Sequence, residues 1–306
     1  PLQYRTTGEV MGDPQLIKQA AIAISKAQKP MVMAGSGVFW HRAHNELAAF
    51  AKAADVPVYT NAMGRGTLRQ DNPNFFSLSR KPAFEQADVI VVLGTPIDFR
   101  LKYGKSPAWN PNAQIIQIDM DPRDIGRNKD FSIGIEANIR QALLQLTAEI
   151  GKGDHKEWMA TLRDMEGKAD AQREVFMNSD SMPIHPLRLC KEIAKFVDDD
   201  TIVVGDGGDI VAIAAGVLPI NHPGQWMDPG PFGTLGVGTG FCMAASVAAP
   251  DKKVLMVNGD GTFGLNGFDF DTFVRHKMPV VSIIGNDRAW HQIYVCLLYT
   301  SPSPRD

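Results

Sequence analysis

The chain has 306 residues, of which 44% are hydrophobic and 21% are charged, and its formal net charge is −3. This length exceeds that of most single domains, so we expect two domains of the soluble globular class, each with enough apolar residues for its own core. The charge excludes a strongly basic nucleic-acid-binding surface, and the absence of an apolar run of ~20 residues excludes a membrane-spanning helix.

Predicted helices and strands alternate over residues 1–150. Apolar residues at helical spacing follow Asp13 and Pro14, a favourable helix start, and predict a helix over Met11–Ala27. The same reasoning predicts one further helix and four strands, namely the helix Glu46–Ala54 and the strands Met31–Ala34, Val56–Tyr59, Val89–Leu93 and Ile115–Ile118. Such alternation indicates an α/β domain with a doubly wound parallel sheet.

Glycines follow several of these strands, but none of the glycine clusters completes the G-x-G-x-x-G pattern of a dinucleotide site. Two interpretations of Gly35, Gly64 and Gly94 are open at this point. These glycines either let a nucleotide approach the backbone or only turn strands into helices.

A polar segment separates this domain from the next. Residues 151–183 are charged, rich in helix-forming residues and interrupted by glycines, so they predict a helical linker whose charges face solvent. The sheet pattern then restarts, and we assign residues 184–295 to a second doubly wound α/β domain. The run Asp198–Asp200 precedes its first strand, Ile202–Val204, and is more typical of a loop than of a metal cluster.

The cysteines indicate a reducing environment. Cys190, Cys242 and Cys296 are isolated from one another and form neither a CxxC motif nor a disulfide framework. No signal peptide is recognisable, so we expect the cytoplasm. We predict that Cys190 and Cys242 are core thiols.

Glycine-rich turns are the main feature of the second domain. Its first strand enters Gly205–Asp209, with the sequence GDGGD, and a later stretch, Asp228–Gly238, precedes a small-residue helix over Phe241–Ala249. Backbone of this kind can approach a bound ring or phosphate closely, and a purely architectural role is the alternative.

The stretch Val257–Asp287 carries the most specific pattern. It predicts, in order, a strand over Val254–Val257, a turn at Gly259-Asp260-Gly261, a helix over about Leu265–His276 and a strand over Val280–Ile284 that leads to Asn286 and Asp287. Parallel strands deliver their carboxyl ends to one edge of a sheet, so Asp260 and Asp287 should lie close together. Two carboxylates suit Mg²⁺, which completes its octahedron with phosphate oxygens. The pattern predicts a metal-bound diphosphate, with two ordinary sheet-edge turns as the alternative.

The α/β pattern fails after Ile293. Cys296–Asp306 shows neither strand nor helix periodicity and is similar to the translation of a transposon-end sequencing adapter. We expect that residues 296–306 are not native sequence, with a disordered native tail as the alternative. Because the chain also starts at Pro1 without a Met, we expect it to be a fragment of a longer protein.

These motifs together resemble those of the thiamine-diphosphate-dependent enzymes, in particular the acetolactate synthase and 2-hydroxyacyl-CoA lyase family. The likeness rests on VNGDGTFG and FDTFVRHKMPVVSIIGND in the second domain and on KPMVMAGSG, ADVIVVLGTPIDFR and IDMDPRDIGRNK in the first. It implies a central domain followed by a diphosphate-binding domain that is truncated in this chain.

The resemblance implies that thiamine diphosphate and Mg²⁺ bind to the second domain. The implied cofactor contacts are Gly207, Gly208, Asp209, Gly233, Leu235, Gly259, Asp260, Gly261, Thr262, Asn286 and Asp287, and the implied metal ligands are Asp260, Asp287 and the carbonyl of Ala289. Leu235 stands where the synthases commonly have Met, and Asp287 stands where many relatives have Asn. His291 is a further candidate on the substrate side, whereas we interpret His276 as a residue that stabilises a helix C-terminus.

The central domain carries FAD in acetolactate synthases and ADP in oxalyl-CoA decarboxylase. The matching positions are Asn61–Gly64, Arg100 and Asp119, but this chain has Pro96 where the synthases have Arg. FAD, ADP and no nucleotide are all open at this point.

The resemblance implies C–C bond lyase or ligase chemistry on 2-hydroxyacyl-CoA or 2-oxo acids, with the cofactor's thiazolium ring as electron sink. Acetolactate-synthase-type carboligation and a non-catalytic nucleotide-binding module are the alternatives. The family's catalytic glutamate belongs to an N-terminal domain, and its active sites form between subunits of a homodimer or homotetramer. We therefore expect no catalytic residue in this fragment and no activity from the fragment alone.

Overall fold

The computed structural model describes residue 6 and residues 8–300 and divides the chain into two α/β units. The division falls between Ala171 and Gln172, and Asn221–Pro223 joins the first unit. We refer to them as the N-terminal and the C-terminal unit. Each contains one parallel sheet with helices on both faces, so the predicted fold class, two doubly wound parallel-sheet domains, is confirmed.

The N-terminal unit contains a five-stranded parallel sheet. Its strands, in chain order, are β1 (Pro30–Ala34), β2 (Val58–Thr60), β3 (Val89–Leu93), β4 (Gln114–Asp119) and β5 (Ile133–Glu136). In the sheet they stand in the order β2-β1-β3-β4-β5. Every residue of β1 and β3 is buried, as expected for central strands of a parallel sheet that is covered on both faces.

Six helices surround this sheet in the described part of the chain. They are α1 (Pro14–Lys26), α2 (Ser36–Trp40), α3 (His44–Ala54), α4 (Arg80–Gln86), α5 (Ile139–Glu149) and α6 (Lys156–Met177), the last of which continues past the unit boundary. α1, α3 and α5 bury their apolar faces in one core layer, and α4 and α6 contribute to the other. The predicted start of α1 is confirmed, because the Asp13 side chain accepts hydrogen bonds from the backbone N–H groups of Gln15 and Leu16.

The helix α6 occupies most of the segment 151–183. Trp158 and Leu162 are buried in the core of the N-terminal unit. Glu166 is also fixed there, because its Oε1 accepts hydrogen bonds from the backbone N–H groups of Ser77–Ser79 at 2.6, 2.8 and 3.2 Å. The first half of α6 is therefore part of the N-terminal unit.

The C-terminal unit contains a four-stranded parallel sheet in the order β7-β6-β8-β9. Its strands are β6 (Thr201–Asp206), β7 (Trp226–Met227), β8 (Lys253–Gly259) and β9 (Val280–Gly285). Its helices in the described residues are α7 (Pro186–Ala194), α8 (Asp209–Val217), α9 (Gly238–Ala248), α10 (Asp260–Asn266), α11 (Phe270–Arg275) and α12 (His291–Thr300). Within residues 6 and 8–300, none of the helices combines the length and apolarity needed to span a membrane.

Two cysteines lie in the core layers of this unit, as predicted. Cys190, in α7, lies in the core layer that α7 and α8 form on one face of the sheet, and Cys242, in α9, lies in the layer that α9 and α11 form on the other. Burial raises the pKa of the Cys190 thiol to about 11 and that of the Cys242 thiol to about 12. Both thiols are therefore protonated near neutral pH.

Two predictions of helix position are wrong. The helix expected over Leu265–His276 is instead α10, which begins at Asp260, followed by a 3-10 turn over Gly267–Asp269 and then α11. The segment from Cys296, expected to lack helical structure, continues α12 to Thr300, because that helix begins upstream at His291. Residues 301–306 of the predicted non-native tail lie outside the described residues.

Candidate functional site

Three neighbouring strands of the C-terminal unit end at one edge of the sheet. Asp206 at the end of β6 pairs with Asn258 in β8, and Gly259 at the end of β8 pairs with Gly285 at the end of β9. The turns that follow these strands therefore share one edge. The predicted site residues on these turns are Gly207, Gly208, Asp209, Gly259, Asp260, Gly261, Thr262, Asn286 and Asp287.

Two glycine turns approach each other through their backbones at this edge. Gly207 has φ +148°, and a Cβ atom on it would lie 3.1 Å from the amide nitrogen of Gly259. A Cβ on Gly261 would lie 2.6 Å from Nε1 of Trp290. A Cβ on Gly208 would lie 2.3 Å from Oε1 of Gln292. These distances leave no space for a larger residue at Gly261 unless the indole moves, and they bring the backbone of the turns after β6 and β8 together, an arrangement that is common at phosphate-binding sites.

The acidic residues are held by short turns beside these glycines. Oδ1 of Asp260 accepts a hydrogen bond from the N–H of Gly261 at 2.8 Å, and Oδ1 of Asp287 accepts one from the N–H of Ala289 at 3.0 Å. A groove of about 430 Å³ adjoins Asp260, and Asp287 is not part of its lining. The lining residues are Asp260, Gly261, Gly264, Leu265, Arg288, Ala289 and Trp290. The structure thus brings Asp260 and Ala289, two of the three predicted metal ligands, to one groove.

The donor atoms at this edge suit a hard cation. Among residues 6 and 8–300, no group of three or more His, Cys, Asp or Glu side chains could hold a metal ion. The predicted set is of a different kind, with two carboxylates, a backbone carbonyl and oxygens supplied by phosphate, which is how Mg²⁺ is commonly bound. The metal assignment stays a prediction.

The acidic run Asp198–Asp200 forms a loop before β6, as predicted. Oδ1 of Asp198 accepts a hydrogen bond from the hydroxyl of Thr201 at 2.7 Å, and its Oδ2 pairs with Nζ of Lys253 at 2.5 Å. Asp200 pairs with Nζ of Lys252 at 2.6 Å. These carboxylates are engaged with neighbouring side chains at the opposite edge of the sheet from the glycine turns.

The positions proposed for a nucleotide lie on turns after β2 and β3 and at the end of β4 in the N-terminal unit. Asn61 is buried, and its side chain contacts the hydroxyl of Thr95 at 3.4 Å. The guanidinium of Arg100 makes a two-fold contact with Asp98, at 2.8 and 3.1 Å. Burial raises the pKa of the Asp119 carboxyl. Arg100 already has a partner in its own loop, and FAD, ADP and no nucleotide all stay open as predictions.

The glycines at this second edge are required by packing. A Cβ on Gly94, where φ is +56°, would lie 2.5 Å from Cα of Gly37. A Cβ on Gly35 would lie 2.2 Å from Cβ of Thr95, and one on Gly64 would lie 2.5 Å from a backbone oxygen at the end of β1. The architectural interpretation is thus sufficient to explain these three glycines.

Two family models match the chain, and they match its two units in turn. The description "Thiamine pyrophosphate enzyme, central domain" applies to residues 17–146, and "Thiamine pyrophosphate enzyme, C-terminal TPP binding domain" applies to residues 206–295. The chain belongs to the thiamine pyrophosphate enzyme family. The resemblance drawn from its motifs is confirmed.

Curated relatives carry two kinds of names. The chain is 35% identical over 274 residues to "Probable acetolactate synthase" of Mycobacterium bovis, and the alignment covers 90% of this chain and 50% of that protein. It is 34% identical over 291 residues to "2-hydroxyacyl-CoA lyase 2" of Homo sapiens, and the alignment covers 92% of this chain and 45% of the human protein. It is 30% identical over 293 residues to the protein of the same name from Caenorhabditis elegans, and that alignment covers 92% of this chain and 46% of the nematode protein. The chain spans about half the length of the curated relatives it matches.

The structure also shows where the remaining predicted residues lie. Thr262 is 3% exposed in the first turn of α10. Gly233, with φ +60°, is exposed, and Leu235 is half-buried, on the loop before α9. His276 follows the last residue of α11, at its C-terminus as predicted, and His291 is exposed at the start of α12. Their roles stay predictions.

Three residues of this edge were missed by the sequence analysis. Trp290 and Gln292 lie against the turn glycines, and Asp206 is completely buried at the end of β6. The only sequence signal for Asp206 was a charged residue that ends an apolar strand. Trp290 and Gln292 could be found only from the fold, because they reach back from the segment after β9 to turns that precede it in the chain.

Proposed function

We propose that this chain carries the diphosphate- and Mg²⁺-binding part of an enzyme that cleaves or forms carbon–carbon bonds in 2-hydroxyacyl-CoA thioesters or 2-oxo acids. The observation that carries the proposal is the pairing of the glycine turns after β6 and β8, with Asp260 beside them at the same edge. Thiamine diphosphate bound there supplies a thiazolium ring that accepts electrons from the reacting bond.

The residues of the edge then have separate tasks. The backbone N–H of Gly208 would donate to the diphosphate, and the Thr262 hydroxyl would add a second donor, while the N–H of Gly261 holds the Asp260 carboxylate beside it. Asp260, Asp287 and the carbonyl of Ala289 would hold Mg²⁺ between themselves and the phosphate oxygens. The indole of Trp290, which lies against Gly261, would limit the access of water to that side of the diphosphate.

Further elements of the proposal concern the whole protein. We assign residues 1–150 to the central domain and 184–295 to the diphosphate-binding domain. Residues 151–183 connect the two, and the first half of this connecting segment packs into the core of the N-terminal unit. Small-molecule substrates, a homodimer or homotetramer and a cytoplasmic location belong to the same proposal. The 306-residue chain alone would bind the cofactor without turnover, because the glutamate that the family uses is expected in a domain outside this sequence.

Acetolactate-synthase-type carboligation is the second candidate. It is favoured by the nearly equal identity to relatives of both names, 35% and 34%. An assay of the full-length protein with pyruvate and with a 2-hydroxyacyl-CoA distinguishes the two. Acetolactate formation supports the synthase reaction, and release of an aldehyde from the thioester supports the lyase reaction.

Calorimetry on the 306-residue chain tests the cofactor site. We expect thiamine diphosphate to bind in the presence of Mg²⁺, and removal of the metal with EDTA to abolish binding. Asp260→Ala should raise the Kd by about tenfold or more, because it removes one of the carboxylates that hold the metal.

Asp271→Ala is the matched control, since Asp271 is an exposed carboxylate on α11 that pairs with Arg275 at 2.7 Å. This variant should bind as tightly as the parent chain. Equal affinity of the Asp260→Ala variant and the parent would overturn the proposal.

A further inference from the structure

The carboxylate of Asp206 ties a distant loop to the end of β6. Its Oδ1 accepts a hydrogen bond from the N–H of Gly236 at 3.1 Å, and its Oδ2 accepts one from the N–H of Gly238 at 2.5 Å. Burial raises the pKa of this carboxyl, and the two amide donors oppose the rise. Because burial of a carboxylate is costly unless donors satisfy it, the position of these two amides is coupled to Asp206.

The same loop is also attached to α10 and to the turn after it. Nδ2 of Asn266 donates a hydrogen bond to the carbonyl oxygen of Gly236. The hydroxyl of Thr239 donates to Oδ2 of Asp269 at 2.7 Å. Gly236 has φ +84°, a conformation that favours glycine. Gly236 is therefore held from two sides, at its N–H by Asp206 and at its carbonyl by Asn266.

There is no room for this loop to shift toward the sheet. A Cβ atom on Gly238 would lie 2.7 Å from Cβ of Asp206 and 2.5 Å from Cε of Met256. The start of α9 is thus packed directly on the ends of β6 and β8. A substitution here would have to push the loop outward.

We infer that Asp206 and Asn266 are positioning residues that fix the loop Gly233–Gly238 relative to both glycine turns. Asp206 directly precedes the turn after β6, and Asn266 ends the helix that opens with the second turn. The loop between them is therefore placed by the same two elements that carry the glycine turns.

This inference rests on the proposed function, and it assigns the contacts to the thiazolium ring and the contacts to the diphosphate to different elements of the site. The loop carries Gly233 and Leu235, the residues predicted to contact the thiazolium ring, whereas the turns are predicted to hold the diphosphate. Asp206 and Asn266 set the place of the ring contacts and leave the diphosphate contacts unchanged. The division can be measured, because inorganic diphosphate lacks the ring.

The test compares two ligands, thiamine diphosphate and inorganic diphosphate, each titrated with Mg²⁺ into the 306-residue chain by calorimetry. Asp206→Asn keeps the shape of the side chain but replaces one acceptor oxygen by an N–H₂ group, so one hydrogen bond to the loop is lost. We expect the Kd of thiamine diphosphate to rise about tenfold while the Kd of inorganic diphosphate stays the same. Asn266→Ala should give the same pattern.

Hydrogen–deuterium exchange supplies a readout that does not depend on a ligand. In Asp206→Asn, the amides of Gly236 and Gly238 should lose protection, whereas those of β8 should keep it. Asp198→Asn is the matched control, because it makes the same substitution just before the other end of β6, and it should change neither affinity nor these two amides.

The outcomes separate the inference from the proposed function. The positioning role is wrong if Asp206→Asn weakens the binding of both ligands equally or of neither, or if the amides of Gly236 and Gly238 stay protected from exchange. In these cases the proposed cofactor site is unaffected. If the parent chain binds neither ligand, the proposed function fails and the inference fails with it.

Discussion

The two units end their parallel sheets in opposite ways. In the N-terminal unit the carboxyl edge is closed by backbone packing, since a Cβ on Gly94 would lie 2.5 Å from Cα of Gly37. In the C-terminal unit the turns after β8 and β9 adjoin a groove of about 430 Å³, and β9 is only partly covered, with Val281 61% exposed. One architecture thus uses glycine for two purposes, to pack strands and helices tightly and to leave backbone accessible to a ligand.

The largest expected effect is at the closed edge. Gly94→Ala places a side chain at φ +56° and against the backbone of Gly37, so the free energy of unfolding should fall by about 3 kcal/mol or more. Gly264→Ala is the matched change at the open edge, where a Cβ would meet nothing within 4 Å, and it should be neutral or stabilise α10 by up to about 1 kcal/mol. Urea unfolding measures both, and equal effects would remove the contrast between the two edges.

The next effect concerns the attachment of α6 to the N-terminal unit. Glu166→Ala removes the acceptor of three backbone N–H groups at Ser77–Ser79, so we expect a loss of about 2 kcal/mol in the free energy of unfolding. Glu174→Ala, at an exposed position of the same helix, should change stability by less than about 0.5 kcal/mol. Similar losses in the free energy of unfolding for the two variants would contradict the assignment of the first half of α6 to this core.

Thiol labelling tests whether the core layers of the C-terminal unit are closed to solvent, so that only the carboxyl edge of its sheet is accessible. Cys190 and Cys242 are buried and Cys296 is exposed, so a disulfide reagent at pH 8 should label one thiol per native chain and three after denaturation. Cys296→Ser should leave no rapidly labelled thiol. Rapid reaction of a second thiol in the native chain would show that the body of the unit is open as well.

The smallest effect is a pH dependence at the far edge of the C-terminal sheet. A hydrogen bond from Lys253, supported by one from Thr201, lowers the pKa of Asp198 to about 2. A lowered carboxyl pKa stabilises the fold above the unfolded pKa of about 4 and loses this contribution as the pH falls toward 2. The stability difference between the parent and Asp198→Asn, measured by urea unfolding, should vanish over that range. A difference that does not change with pH would assign the effect to packing.

The strands were largely predictable because buried parallel strands have continuous apolar sequences. The bounds predicted for β3, Val89–Leu93, are those of the structure. In contrast, β7 has only two residues, Trp226 and Met227, which are too few for a periodic signal. The start of α10 at Asp260 was missed because its glycines have low helix propensity, which packing on the sheet overrides.

The site residues were predictable only where the local sequence pattern and the register of neighbouring strands determine their position. The register of β8 and β9 brings Gly259 beside Gly285 and supports the placement of Asp260 and Asp287 at one edge. No such rule links Asp206 to Gly236, which is 30 residues away in the sequence. Contacts of this kind depend on where a loop crosses the sheet, and the sequence carries no periodic signal for them.

We propose that the carboxyl edge of the C-terminal sheet holds a metal-bound diphosphate. Crystals of the 306-residue chain grown with thiamine diphosphate and Mn²⁺ in place of Mg²⁺ test it directly, because the manganese gives an anomalous signal. We predict a peak within coordination distance of the Asp260 and Asp287 carboxylates, with the diphosphate against Gly208 and Gly261. A metal peak remote from Asp260, or a diphosphate bound elsewhere on the chain, would contradict this assignment of the site.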